Sequence, residues 1–185
     1  MARTAGSDGQ RTEAAIREAA VSLIARRGYE AVTMRQLAAE VGVQAAALYR
    51  YFPTKEDLLY DLMIAHMEAL IESWELVRPQ HRDCPARLVA FVANHIRFHV
   101  ERRHSTHVNN MELRSLSHER LSTILKLRNR YEKELRTILR EGAEDGSFLI
   151  EDSAMTAMAN IAQPPAFQTS TACCQTSRTR SKMAL

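Results

Sequence analysis

From Gln10 to Glu144, apolar residues recur every three or four positions, and very little interrupts that rhythm. Such recurrence places one side of each segment in a core and is the signature of amphipathic helix. Only six glycines and five prolines are available to punctuate 185 residues, so few segments can turn back sharply. The chain is therefore expected to be all-α. With 45% apolar residues it has the material for a sizeable core.

The first stripe, Ala15, Ile16, Ala19, Ala20, Leu23 and Ile24, predicts a helix over 10–27, with Gly28 as a left-handed cap. Residues 1–9, small and polar, read as a flexible arm. Thr33 followed by Gln36 predicts a capping box and a short helix ending near Glu40. A turn at Val41-Gly42-Val43 leads into a second short helix over 44–51. Pro53 stops it, because its ring disfavours helical geometry at Phe52. Longer helices follow over 55–77, 84–103 and 117–144, with shorter helical signal over 105–116. The stripe over 84–103 is Leu88, Phe91, Val92, His95, Ile96 and His99. Gly142 and Gly146 are expected to end the long third helix.

Within this frame, one nineteen-residue run, VGVQAAALYRYFPTKEDLL, stands out. Two short helices joined at a glycine, behind a longer one, make a helix-turn-helix unit. In such a unit the second short helix enters the DNA major groove. Three alanines, Ala45, Ala46 and Ala47, permit close approach, and their methyls suit thymine methyls. Gln44 and Arg50 supply longer hydrogen-bonding groups. Tyr49 and Tyr51 offer phenols to phosphate oxygens, and Lys55 opens a helix where backbone amides also favour phosphate. Thr33 and Arg35 would open the first short helix toward the other side of the groove. Residues 1–55 hold eight Arg or Lys against five acids, a local surplus of three.

The run TMRQLAAEVGVQAAALYRYFPTKEDLL resembles the DNA-binding region of TetR-family transcriptional regulators. The likeness rests on Thr33, Leu37-Ala38, Val41-Gly42-Val43, Leu48-Tyr49, Tyr51-Phe52, Lys55 and Leu58-Leu59, and spans about 11–60. It implies that Leu37, Ala38, Val41, Val43, Leu48 and Phe52 hold three helices together. It also implies that Thr33, Arg35, Gln44, Ala45, Ala47, Tyr49, Tyr51 and Lys55 face DNA. Gln44 departs from the family's usual Ser or Thr cap, and three alanines leave few base-edge hydrogen bonds. The domains expected are 1–9 arm, 10–54 helix-turn-helix, 55–163 helical ligand-binding and dimerisation domain, and 164–185 irregular tail.

The resemblance implies a repressor that binds a palindromic double-stranded operator as a homodimer and is released by a small-molecule effector. Candidate pocket residues are Met63, Met67, Trp74, Phe91, His95, Phe98, His99 and Met111, placed where three long helices can enclose a cavity. Methionines fill core gaps as readily as they line pockets, so ordinary core is the competing reading. Residues 97–140 carry eleven Arg or Lys against five acids. That surplus is a solvated helix face, or else a receiver for an acidic effector such as an acyl-coenzyme A.

No nucleophile elbow, phosphate loop or paired-acid motif points to an enzyme, and no cofactor is implied. His95 and His99 stand four apart, the spacing for two metal ligands, but no third ligand is fixed by a motif. A helical metal- or ligand-binding protein with impaired or no DNA binding is accordingly the alternative. The three cysteines, Cys84, Cys173 and Cys174, form no framework spacing and fit a reducing, cytoplasmic setting. No membrane-length apolar run appears.

The family's dimer uses its last two helices. Here Asp152 begins one partial stripe to about Gln163, and the remaining 22 residues, with seven Ser or Thr, show no periodicity. The C-terminal helix is expected to be missing or altered, for instance by a frameshift near codon 163. The rival is a natural variant that pairs through 117–144, and a third reading is a defective regulator with an incomplete interface.

Overall fold

A computed structural model of the protein describes residues 5–78 and 83–149. The expectations for the partial helix at 152–163 and the tail at 164–185 lie outside the described residues. Among the described residues, seven α-helices follow one another: α1 (Ala5–Arg27), α2 (Met34–Val41), α3 (Ala45–Tyr51), α4 (Lys55–Val77), α5 (Cys84–Glu101), α6 (Arg103–Met111) and α7 (His118–Glu144). A 3-10 turn at Leu113–Ser115 links α6 to α7.

The punctuation read from the sequence acts at most of its positions. Thr33 caps α2 with a complete capping box: its Oγ1 accepts the Gln36 N–H at 3.2 Å, and Gln36 Oε1 accepts the Thr33 N–H at 2.9 Å. Gly42 ends that helix at φ 74°, a left-handed conformation that costs glycine little. Thr54 and Asp57 repeat the capping box at the start of α4, a feature worth about 1 kcal/mol.

Two boundaries differ from expectation. The segment 5–9, read as part of an arm, is the first part of α1. Gly6 and Gly9 lower its intrinsic propensity, but once a helix is nucleated, propagation adds a hydrogen bond per residue. A Cβ on Gly9 would lie 3.7 Å from Tyr51 Oη, so this segment also stands against α3. At the other end, Gly142 does not terminate α7. Phe148 folds back over it, its N–H donating to the Gly142 carbonyl at 2.8 Å, and the left-handed exit comes at Gly146.

The core has two parts. One gathers Ile16, Ala20 and Leu23 of α1, Leu37 of α2, Leu48 of α3 and Leu58, Leu59 and Met63 of α4 with Val108 of α6 and Ile124 of α7. The expected boundary at residue 54 is thus a turn in the chain, while the core runs straight across it. The second part packs Met67, Leu70, Ile71 and Trp74 against Phe91 and Phe98 of α5 and Tyr131 and Ile138 of α7. The α5 stripe is narrower than its sequence suggested. Leu88, Phe91 and Phe98 join this core, whereas Val92 and Ile96 are exposed with Val89 and Val100 on the outer side.

Candidate nucleic-acid interface and effector domain

The seven-residue α3 divides cleanly. Ala45, Leu48 and Phe52, spaced three and four apart, point into the core, with Leu48 wholly buried. Gln44, Ala46, Tyr49 and Arg50 are exposed on the other side, Tyr49 at 46%. Gln44 makes no side-chain capping bond. Together with Arg35 on α2, the Gln44, Tyr49 and Arg50 side chains make no hydrogen bond or ion pair within the described residues. They form an unengaged polar face on a rigidly seated helix.

Four expected contact residues behave differently. Ala45 packs against the core and Ala47 is half-buried, so the alanine presented outward is Ala46. The helical phase decides this, because Leu48 must face inward and Ala45 shares its side. Tyr51 is half-buried and packs on the core. Lys55 is half-buried rather than free. Its Nζ donates to the carbonyls of Tyr29 at 3.0 Å and Val32 at 3.2 Å, and lies 4.0 Å from the Tyr29 ring centroid. Its first task is to hold the α1–α2 loop, which delivers Thr33 and Arg35 to the outer face.

Other residues that tie this unit to the helical domain were not found from sequence. The Tyr29 N–H donates to Glu112 Oε1 at 3.0 Å, and Ser115 Oγ donates to Glu112 Oε2. Arg17 of α1 grips Asp61 of α4 through Nε at 2.6 Å and Nη2 at 3.0 Å. Arg120 of α7 bonds Asp57, and Glu56 accepts the Ser117 N–H at 2.8 Å. Apart from the local Ser115–Glu112 bond, these pairs join residues 44 to 83 positions apart, beyond the reach of local periodicity.

Of the eight candidate pocket residues, Met63, Met67, Trp74, Phe91 and Phe98 are at most 4% exposed and interlock in the two core parts. Trp74 meets Phe91 edge-on at 5.0 Å. Met111 is 51% exposed and encloses nothing. Apolar size at helical spacing reads the same in sequence whether it fills a core or lines a cavity.

His95 and His99 remain half-buried at the edge of this aromatic cluster, 4.0 Å apart by ring centroids. His95 Nδ1 lies 3.3 Å from Tyr131 Oη, and His99 Nδ1 donates to the His95 carbonyl at 2.7 Å. Burial, with the charge of neighbouring His99, holds the His95 imidazole down to about 4, and burial lowers His99 as well. Burial likewise raises the Tyr131 phenol. The array is therefore neutral near pH 7 and acts by hydrogen bonding rather than by charge. No group of three or more metal-ligating side chains occurs among the described residues.

Part of the basic excess on α5 to α7 is paired. Arg120, Arg130 and Arg136 pair with acids, and Arg102 lies 3.2 Å from Glu101. Arg128 has no acid partner. It is held by the Asn109 carbonyl at 2.5 Å and Asn110 Oδ1 at 3.1 Å, and burial lowers its pKa.

A helix-turn-helix with a free outer face, welded to a helical bundle, defines a DNA-binding regulator with an effector domain. Residues 16–62 match the profile of bacterial regulatory proteins of the TetR family, and 81–162 match the tetracyclin repressor-like C-terminal domain. The chain is similar to the transcriptional repressor KstR2 of Rhodococcus jostii, 27% identical over 147 residues, covering 78% of this chain and 71% of that protein. A TetR-family regulatory protein from Rhodococcus RHA1 superimposes with a TM-score of 0.77 at 31% identity, over 82% of this chain and 80% of its own. AibR, solved with isovaleryl coenzyme A and operator DNA, gives a TM-score of 0.72 at 25% identity, over 82% of this chain and 81% of its own.

The chain belongs to the TetR family. It is a ligand-responsive, DNA-binding transcriptional regulator, of a family whose members are generally not enzymes. No helix among the described residues is long and apolar enough to cross a membrane.

Proposed function

We propose that this regulator is a cytoplasmic repressor that occupies a palindromic operator as a homodimer and leaves it when an acyl thioester of coenzyme A enters the helical domain. The observation that carries the DNA half is the outer face of α2 and α3. Arg35, Gln44, Tyr49 and Arg50 stand together there, free of internal bonds, while Leu48 and Phe52 fix the helix beneath them. Arg35 and Gln44 are placed to read base edges, Ala46 to meet a thymine methyl, and Tyr49 and Arg50 to hold phosphates. Thr33 opens α2 beside them, Ala45, Ala47 and Tyr51 support the recognition helix, and Lys55 holds its approach loop.

A single seven-residue recognition helix spans one half-site. Two of them on a two-fold axis, about 34–36 Å apart or a multiple of that, match a palindrome. The effector class follows from the likeness to AibR, which was solved with a coenzyme A thioester. The His95–His99–Tyr131 edge of the helical domain offers neutral hydrogen-bonding groups beside an aromatic wall, suited to a thioester carbonyl and its acyl chain. Met67, Trp74, Phe91 and Phe98 are the core packed beneath this edge, with Met63 deeper and Met111 outside, so an acyl chain there would have to part them.

The test is operator titration against the upstream region of the regulator's own gene, with light scattering on the same sample. A dimer with specific, salt-sensitive binding, weakened by isovaleryl coenzyme A, supports the reading. Binding insensitive to any acyl thioester removes the effector assignment and leaves the DNA assignment standing.

A further inference from the structure

The cleft of about 520 Å³ in the described residues is not at the His95–His99 edge. It opens where α1 of the helix-turn-helix unit meets α4 and α6, and it is lined by none of the eight candidate pocket residues. Its volume falls in the range of small-molecule sites. Val21, Leu62, Ala65 and Ala69 give it an apolar floor.

One buried member of its polar lining has no hydrogen-bond partner among the described residues. His66 lines the cleft while only 6% exposed, and its Nδ1 is buried with no hydrogen-bond partner. Such a group costs free energy until something bonds to it, and buried polar side chains ordinarily have partners. Burial, then the charges of His99, Arg128 and Arg102, hold this imidazole down to about 3, so it is neutral in the folded protein. Its neighbours explain why no protein group reaches it: Phe98 meets it edge-on at 5.2 Å and His99 at 6.0 Å.

Arg102, His104 and Ser105, at the opening turn of α6, line the same cleft. That nine-residue helix begins with no side-chain cap, leaving its first amide N–H groups without an acceptor from the N-cap. The helix dipole and Arg102 both favour negative charge at this turn. Glu18, the cleft's carboxylate, belongs to the α1 wall, and Arg17 beside it is engaged by Asp61 and Glu13. Among the described residues Arg102 pairs only with the exposed Glu101 at 3.2 Å, a surface contact that a ligand carboxylate can replace, so the exchangeable cationic character is at the α6 end.

We propose that the α1–α4–α6 cleft binds a small carboxylic acid with an apolar chain, its carboxylate at Arg102, His104 and the α6 opening turn and its chain over Val21, Leu62, Ala65 and Ala69, with His66 bonding the buried end of the ligand's polar group. This second site builds on the regulator reading, because a ligand there wedges the DNA-binding helix α1 against the effector domain. It is distinct from the coenzyme A thioester site at the α4–α5–α7 edge.

The probe is sodium octanoate, titrated calorimetrically into the full chain without DNA, beside 1-octanol and inorganic phosphate. Octanoate is expected to bind, and R102Q/H104Q to weaken it about tenfold or more while 1-octanol is unaffected. H66F keeps the ring's bulk and removes its nitrogens; it is expected to weaken octanoate several-fold with the fold intact by circular dichroism. No octanoate binding up to millimolar concentration, equal binding to wild type and R102Q/H104Q, or binding of phosphate as tightly as octanoate would each overturn the site. Operator affinity is measured separately without octanoate. Its loss alongside intact octanoate binding counts against the regulator reading and leaves the site in place.

Discussion

Glu112, the residue that ends α6, holds the backbone N–H of Tyr29 at 3.0 Å across 83 residues of sequence. Tyr29 sits in the loop that launches α2, one residue past the left-handed Gly28 (φ 79°). The effector domain therefore touches the DNA-reading unit through a side chain on a backbone amide. Movement of α6 is expected to reach the loop that carries Thr33 and Arg35 through this bond. Glu112→Ala leaves a half-buried amide unpaired, at a cost of about 1–3 kcal/mol. It is expected to lower the midpoint of thermal unfolding and to blunt the response of operator affinity to effector. Glu112→Gln keeps an acceptor oxygen and is expected to restore most of both. Equal responses in Glu112→Ala and wild type would remove Glu112 from the coupling route.

Lys55 gives the same loop its second hold, and its two roles are separable by salt. If the ammonium served phosphate, Lys55→Met would reduce the slope of log affinity against log salt by about one. With Nζ already on the Tyr29 and Val32 carbonyls, the slope is expected to stay unchanged while stability falls by about 1–2 kcal/mol. Arg50→Gln is the internal control. It breaks no contact in the chain and is expected to lower the slope by about one without altering stability.

The difference between Lys55 and Arg50 shows what the sequence makes legible. Caps, turns and helical phase are local chemistry, and Thr33–Gln36 and Gly42 could be read directly. The recognition helix was legible for the same reason, although its phase favours Ala46 over Ala45 only once Leu48 is known to be wholly buried. The Lys55–Tyr29, Arg17–Asp61 and Glu112–Tyr29 contacts depend on how distant helices meet. No periodicity encodes that. The pocket was illegible for another reason, since Trp74 and Phe91 have the same spacing and size whether they touch each other or a ligand. His66 shows the reverse case: it stands on the buried side of α4 with Leu62 and Leu70, yet its missing partner marks a cleft.

Tyr49 and Arg35 separate positioning from reading. Tyr49→Ala is expected to weaken binding to every operator variant alike, by roughly tenfold, as loss of a phosphate contact does. Tyr49→Phe isolates the hydroxyl and is expected to reproduce most of that loss. Arg35→Ala is expected to cost about 1–3 kcal/mol on the cognate sequence and less on a base-substituted one. A competition titration over a set of single-base operator variants distinguishes the two patterns. Uniform loss from Arg35→Ala would assign Arg35 to the backbone, and unchanged affinity in Tyr49→Ala would take Tyr49 out of the interface.

The buried histidines predict how the regulator responds to acid. Both His66 and His95 are held below the ordinary imidazole value of 6.5, to about 3 and about 4. The unfolded chain then binds protons that the folded chain refuses once pH drops below about 6.5. Stability is full above that value and falls as pH descends toward about 4, and His66 alone contributes a slope of up to about 1.4 kcal/mol per pH unit. The charges facing His66 are His99 of α5, Arg128 of α7 and Arg102 of the α5–α6 junction, all of which oppose its protonation. Urea unfolding at a series of pH values is expected to show this steep acid limb in the wild type. His66→Phe, which preserves the edge-on contact with Phe98, is expected to flatten the limb while leaving stability near pH 7.5 within about 1.5 kcal/mol. An acid limb identical in the two proteins would mean that other groups govern acid unfolding and that His66 accepts its proton without opening the core.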